Sequence, residues 1–123
     1  MKALQKSGED YLEAIYNILK KEDHAHSVNI AKMLNVSKPS TFKALQILAE
    51  KGYIEKENYG AVTLTKKGKE HAETVIKKHQ AIRMLLIDIL KVSQETAESD
   101  ACKIEHCLSE ETTEKLFSFL NFK

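Results

Sequence analysis

The sequence predicts a mainly α fold: a bundle of three helices closed by a small β-hairpin, followed by an all-helical second half. Three observations lead there. Apolar residues recur at three- and four-residue intervals through most of the 123 residues, the spacing of a buried helix face. Two short β-prone runs flank a turn at residues 58–60, which is the pattern of a hairpin. Ser and Gly stand where helices have to begin and end.

The first helix is expected from Gly8 to Lys21, opened by the capping box Ser7-Gly8-Glu9-Asp10. Its inward face is Tyr11, Leu12, Ile15, Ile18 and Leu19, with Asp10, Glu13 and Asn17 on a different face. After His24-Ala25-His26, Ser27 is placed to cap a short helix, Val28–Leu34, that buries Ile30, Ala31 and Leu34. Asn35-Val36-Ser37 breaks the chain again. Ser37 caps the third helix, and Pro39 in its first turn costs nothing because that N–H has no helical partner. This helix is expected to reach Lys51, with Phe42, Leu45, Leu48 and Ala49 inward, Lys38, Ser40, Thr41 and Lys43 exposed, and Gly52 as a left-handed C-cap. The runs Tyr53–Glu57 and Ala61–Thr65 form the hairpin, turning through Asn58-Tyr59-Gly60 with Gly60 at positive φ. A long helix follows from Lys66 to about Leu90, striped by Ala72, Val75, Ile76, Ile82, Leu86 and Leu90. Two further amphipathic segments, Gln94–Leu108 and Glu110–Leu120, complete the chain, the second opened by the capping box Ser109-Glu110-Glu111-Thr112.

Composition narrows the class. With 42% hydrophobic and 30% charged residues, four Gly and one Pro, the chain is neither collagen-like nor disordered. No apolar run approaches the roughly 20 residues of a membrane span, and the opening residues do not resemble a secretion or transit signal. The expectation is a cytoplasmic protein with no membrane partner. Cys102 and Cys107, five apart, are too few for a disulfide framework and read as thiols in a reducing compartment. Charge is unevenly spread: residues 1–78 sum to +4 and residues 79–123 to −3. Such asymmetry fits a nucleic-acid-binding half joined to a half with another task, and equally an ordinary variation of surface charge.

Two short helices joined by a tight turn, the second beginning Ser-Lys-Pro-Ser-Thr and followed by a two-stranded wing, form the pattern of a winged helix-turn-helix, whose second helix enters the major groove of DNA. Ser37, Lys38, Pro39, Ser40, Thr41 and Lys43 are the candidate DNA-binding residues. The hydroxyls can donate to phosphates or base edges, Lys43 can reach a guanine edge or a phosphate, and Lys38 adds a sequence-blind attraction. Read without function, Pro39 is a helix-start proline and Lys43 a solvated lysine.

On the segment 94–108, helical spacing places Ala97, Ala101, Ile104 and Leu108 on one stripe and Cys102, Glu105 and His106 on another. A thiolate, a carboxylate and an imidazole at i, i+3 and i+4 are three metal-ligand types within reach of one ion; otherwise Cys102 is a small, half-buried hydrophobe and the other two a solvated pair. His79 interrupts the apolar stripe of the long helix, either as a ligand or as a core histidine bonded to a carbonyl. Asp10 and Glu13, three apart on the first helix, offer hard oxygen ligands, or else are a cap and a surface acid.

Taken in order, the segments Glu9–Tyr16, Asn29–Ala31, Leu34–Ser40, Leu64–Gly68, His79 and Cys102–His106 resemble the successive motifs of the diphtheria-toxin-repressor family of iron- and manganese-dependent regulators, over nearly the whole chain. The resemblance implies a winged-helix DNA-binding domain at residues 1–65 and an all-α metal-binding and dimerisation domain at residues 66–123, without the SH3-like third domain of longer members. It points to Asp10, Glu13, His79, Cys102, Glu105 and His106 as metal ligands. The manganese branch has a carboxylate where Cys102 stands; the iron branch has a cysteine there but a methionine at the position of Asp10. This chain is therefore a hybrid. Arg83 also stands where the iron branch has an acidic ligand of an ancillary site, and Glu98 where it has a histidine.

The expected function is a homodimeric, metal-dependent transcriptional regulator, a repressor of metal-uptake genes, that binds palindromic double-stranded DNA when activated by Mn²⁺ or Fe²⁺, with Zn²⁺ or Co²⁺ as surrogates. Apolar Leu85, Leu86, Ile89, Leu116, Phe117 and Phe119 exceed what one small core covers and favour the dimer. No catalytic residues are expected. The alternatives are a small metal-binding enzyme or metal-transfer protein, and a metal-independent winged-helix regulator.

Overall fold

The computed structural model describes residues 6–57 and 60–121. In chain order its elements are α1 (Lys6–Leu19), β1 (Ala25–His26), α2 (Ser27–Leu34), α3 (Lys38–Glu50), β2 (Ile54–Lys56), β3 (Ala61–Leu64), α4 (Lys66–Met84), a π-helical turn (Leu85–Ile89), α5 (Gln94–Ile104) and α6 (Glu110–Phe119). The described residues form two compact units that divide between Glu73 and Thr74, inside α4.

In the first unit α1, α2 and α3 pack on one another and on the sheet. Leu12, Ile15, Ile30, Leu45, Leu48 and Val62 are its fully buried centre, and the expected inward face of α1 is the observed one. Two helix starts differ from expectation. Lys6 is already helical, so Ser7 lies within α1 and is not its cap. Ser27 is the first residue of α2, whose N-cap is His26, with no side-chain capping bond. The reason is a strand that periodicity could not reveal at two residues: Ala25 and His26 pair antiparallel with Val62 and Ala61, which holds His26 extended. The sheet is thus three-stranded, in the order β1-β3-β2, with the expected hairpin registered as Ile54 against Leu64 and Lys56 against Val62. Gly60 has φ +76° as expected; Asn58 and Tyr59 lie outside the described residues.

The turn between α2 and α3 is a left-handed cap at Asn35 (φ 55°), where Val36 N–H donates to Ala31 O at 3.0 Å and Asn35 N–H to Lys32 O at 3.2 Å. These are the two bonds of a Schellman motif. Ser37 then caps α3 by accepting from Ser40 N–H at 3.2 Å. The face of α3 is rotated from the expected one: Thr41 is 1% exposed and Phe42 is 61% exposed. Thr41 shares a stripe with Leu45 and Leu48, and its hydroxyl donates to Ser37 O at 3.0 Å, which removes the cost of burying it. Phe42, one residue on, is carried about 100° round the helix to the solvent side.

A knot of backbone contacts joins this unit to the start of α4. Thr65 Oγ1 donates to Gly52 O at 2.6 Å and accepts from Gly68 N–H at 3.1 Å, and a Cβ on Gly68 would run into Tyr53 O. Farther along, His71 Nε2–H donates to the buried Glu9 at 2.7 Å and Tyr16 O–H to Glu73 at 2.9 Å, fixing α1 to the first turns of α4.

In the second unit Val75, Ala81, Ile82, Ala97, Ala101 and Thr113 are buried. The expected helix to Leu90 changes its winding at Leu85 into the π turn, closed by Leu90 N–H to Leu85 O at 3.1 Å and followed by Lys91 at φ 61°. Ser93 caps α5, which ends at Ile104 and not at Leu108; Ser109 caps α6 as expected. Lys77 Nζ lies 4.4 Å from the Phe117 ring centre. Phe119 is 71% exposed and Ile89 is exposed, whereas Leu85, Leu86, Leu116 and Phe117 are half-buried.

Candidate metal centre and nucleic-acid interface

His79 projects from α4, Cys102 from the last turn of α5, and Glu105 from the residue that caps α5. One ligand atom of each lies within 4.8 Å of the other two. An ion with bonds of about 2.0–2.3 Å holds opposite ligand atoms roughly 4.5 Å apart at most, so small side-chain rotations close this set on one cation. His79 Nε2–H donates to both oxygens of Glu98, at 2.7 and 3.2 Å. Its Nδ1 is buried, makes no hydrogen bond, and stands 3.4 Å from Glu105 Oε2. With the ring proton on Nε2, two lone-pair atoms face each other, an arrangement that a cation between them relieves. The nitrogen, sulfur and oxygen donors present therefore fit a divalent transition metal. His106, whose side chain is 2% exposed, places Nε2 3.5 Å from Glu105 Oε1.

Three readings are corrected here. Glu105 is buried, 2% exposed, while Ile104 is exposed. Ala97, Ala101 and Glu105 follow one another at four-residue intervals, so the carboxylate occupies the inward stripe and Ile104 falls beside it; the small alanines and the two imidazoles next to Glu105 make that position polar. Cys102 is exposed, not half-buried. Asp10 and Glu13 stand on α1, in the first unit, both half-buried and both inside the helix, so Asp10 is not a cap.

The sequence reading did not assign Glu98 a role. It accepts from His79 and lies 3.8 Å from Arg83 Nε; its place one helical turn before Cys102 was the available signal.

At the start of α3, Ser37, Lys38, Pro39, Ser40 and Lys43 are exposed as expected and Thr41 is not. The Ser37 hydroxyl donates to Ser40 Oγ at 2.9 Å, which leaves the Ser40 proton to donate outward. Phe42 and Gln46 share the exposed face and were missed because the phase of the helix was set on Phe42 as a core residue.

Comparison with known proteins gives the family of the chain. Residues 3–62 match the model of the iron dependent repressor N-terminal DNA binding domain, and residues 65–123 that of its metal binding and dimerisation domain. The chain is 36% identical over 118 residues to an uncharacterized HTH-type transcriptional regulator of Methanocaldococcus jannaschii, covering 95% of this chain and 94% of that one. It is 33% identical to the HTH-type transcriptional regulator MntR of Oceanobacillus iheyensis, covering 94% of this chain and 78% of the relative. The solved manganese regulator SloR superposes with a TM-score of 0.81 at 28% identity, over 99% of this chain; the chain spans about half, 56%, of SloR. This chain belongs to the iron-dependent repressor family of metal-responsive, DNA-binding transcriptional regulators.

Proposed function

We propose that this protein is a cytoplasmic, homodimeric repressor of metal-uptake genes, without enzymatic activity, in which residues 1–65 bind a palindromic operator and residues 66–123 bind metal and dimerise. The observation that carries the metal half is the convergence of His79, Cys102 and Glu105 within 4.8 Å, with His79 Nδ1 aimed at the Glu105 carboxylate. His106 beside Glu105, together with Asp10 and Glu13 of α1, completes the proposed ligand set; what supports the last two is their residue type and their match to the family's ligand positions. Ser37, Lys38, Pro39, Ser40 and Lys43 are the proposed DNA contacts, by exposure and charge.

The bound ion is Mn²⁺ or Fe²⁺, as the manganese regulator SloR and the iron dependent repressor family suggest, with Zn²⁺ and Co²⁺ as surrogates. His79, Cys102, Glu105 and His106 of the second unit would hold it, with Asp10 and Glu13 of α1 as further proposed ligands, and it would supply positive charge to offset their carboxylates. The rest is the chain's own: Glu98 holds the His79 ring and Glu105 brings its carboxylate inside the second unit. A ligand shifts a conformational equilibrium only by its differential affinity, so DNA must tighten metal binding as much as metal tightens DNA binding.

The test is DNA retardation by metal-free and metal-loaded protein, prepared anaerobically, with wild type and Cys102→Ser. Metal-dependent retardation weakened in the variant supports the reading. Retardation indifferent to metal supports a metal-independent regulator, and turnover of a substrate at the cluster supports an enzyme.

A further inference from the structure

The exposed face of α3 holds an aromatic ring that a monomer in water has no reason to present. Phe42 is 61% exposed. Helical spacing aligns Pro39, Phe42, Lys43 and Gln46 on one face, and all four are exposed. Lys56 Nζ from strand β2 sits 4.6 Å from the centre of the Phe42 ring. This contact fixes the ring against the wing without covering it. Lys38, Lys43 and Lys56 surround the patch with positive charge, so its electrostatics suit a polyanion and oppose a basic partner.

We propose that Phe42 and Gln46 are specificity-determining residues that read an A·T pair in each half-site, Phe42 against the thymine C5-methyl and Gln46 against the adenine edge. The inference rests on the DNA-binding reading of α3 and goes beyond it by naming the bases. In the major groove only thymine offers a methyl group, the natural contact for an exposed apolar ring, and adenine N6 and N7 match the amide of Gln. Phe42 and Gln46 are four residues apart, one helical turn, so they reach neighbouring points along the groove. The N-terminal turns of a recognition helix make the base contacts, and Phe42 and Gln46 belong to the first three turns of α3. Glu50 ends this face with a negative charge, where the helix would turn away from the phosphates.

The experiment starts from duplexes selected out of random sequence by the full-length, Mn²⁺-loaded protein. Each thymine of the selected half-site is then replaced by deoxyuridine, which lacks only the methyl. Wild type should lose about fourfold in affinity per contacted methyl, or roughly fifteenfold over a palindrome, at one position per half-site. Phe42→Ala should bind the parent duplex as weakly as wild type binds the uracil duplex, and be indifferent to the replacement; Phe42→Leu should restore part of the sensitivity. Gln46→Ala should lose roughly 5- to 150-fold discrimination at one adenine. Both side chains are exposed, and unchanged circular dichroism would confirm folding. If Phe42→Ala and wild type respond alike to every uracil, the proposal is wrong even though α3 binds DNA. If wild type selects no sequence at all, the DNA reading fails first. A change in sedimentation of DNA-free Phe42→Ala, with the uracil response intact, would make this face a contact between copies of the chain and overturn the assignment.

Discussion

His79 is held from both sides, and the consequences differ by atom. Glu98 accepts its Nε2 proton at 2.7 Å, which selects the tautomer whose Nδ1 lone pair faces Glu105. Glu98→Ala should therefore weaken metal binding roughly 10- to 100-fold, the usual consequence of losing such an outer partner, while Glu98→Gln, which still accepts, should recover most of it; a Co²⁺ titration followed through the thiolate absorption of Cys102 measures both. Equal losses in the two variants would show that charge, not orientation, matters. Cys102→Glu addresses the choice of ion. Replacing a soft donor by a hard one costs the softer ion more, so activation should shift toward Mn²⁺ relative to Fe²⁺; an unchanged ratio would place Cys102 outside the coordination sphere. Glu105 calls for a different substitution, because it is buried. Glu105→Ala would open a cavity and confound folding with binding, whereas Glu105→Gln keeps the volume and should abolish metal-stimulated DNA binding in a folded protein.

At the scale of elements, most of the architecture was legible where apolar spacing was long and unbroken. The inward face of α1, the Ser37 and Ser109 caps and the glycines at positions 52 and 60 were all read correctly. What escaped has physical causes. Strand β1 is two residues long, too short for any period, and owes its conformation to β3. On α3 the Thr41 hydroxyl is satisfied by Ser37 O, so a polar residue took the core position that hydrophobicity alone awards to Phe42. On α5 the pattern Ala97, Ala101, Glu105 hides its inward stripe, since a carboxylate ends it. The donor types of His79, Cys102 and Glu105 stood out in the sequence because metal chemistry restricts them more than packing does, and the fold brings their atoms within 4.8 Å of one another. Gly68 closes the motif Leu64–Gly68, but its packing role is not readable from the sequence: a Cβ there would meet the Tyr53 carbonyl oxygen. Gly68→Ala should destabilise the first unit by about 3 kcal/mol, at the upper end of overpacking costs, as read by urea unfolding; a loss under about 0.5 kcal/mol would mean the junction of β2 and α4 yields freely. The Tyr16 bond to Glu73 holds the phenol above its ordinary value near 10. Its contribution is complete below that pH and fades as pH rises through the raised value, so Tyr16→Phe should flatten the alkaline fall in stability and leave its neutral course unchanged.

For the whole molecule, the family relation and the two units give a division of labour: a first unit that presents α3 and a second that gathers His79, Cys102 and Glu105. Exposed Ile89, Leu90 and Phe119 are the apolar surface that a symmetric dimer would cover. Phe119→Glu should lower the dimer fraction in sedimentation without unfolding the protomer, and with it the affinity for a palindrome; a dimer of undiminished strength would place the interface elsewhere. Metal and DNA binding are coupled energetically in this scheme, and linkage makes the coupling measurable from either side. The affinity for a selected palindromic duplex is measured with and without saturating Mn²⁺, and the affinity for Mn²⁺ with and without saturating duplex. The two ratios should be large and equal, about 5- to 150-fold for a coupling of roughly 1–3 kcal/mol. A DNA affinity that does not change with metal would contradict the coupling.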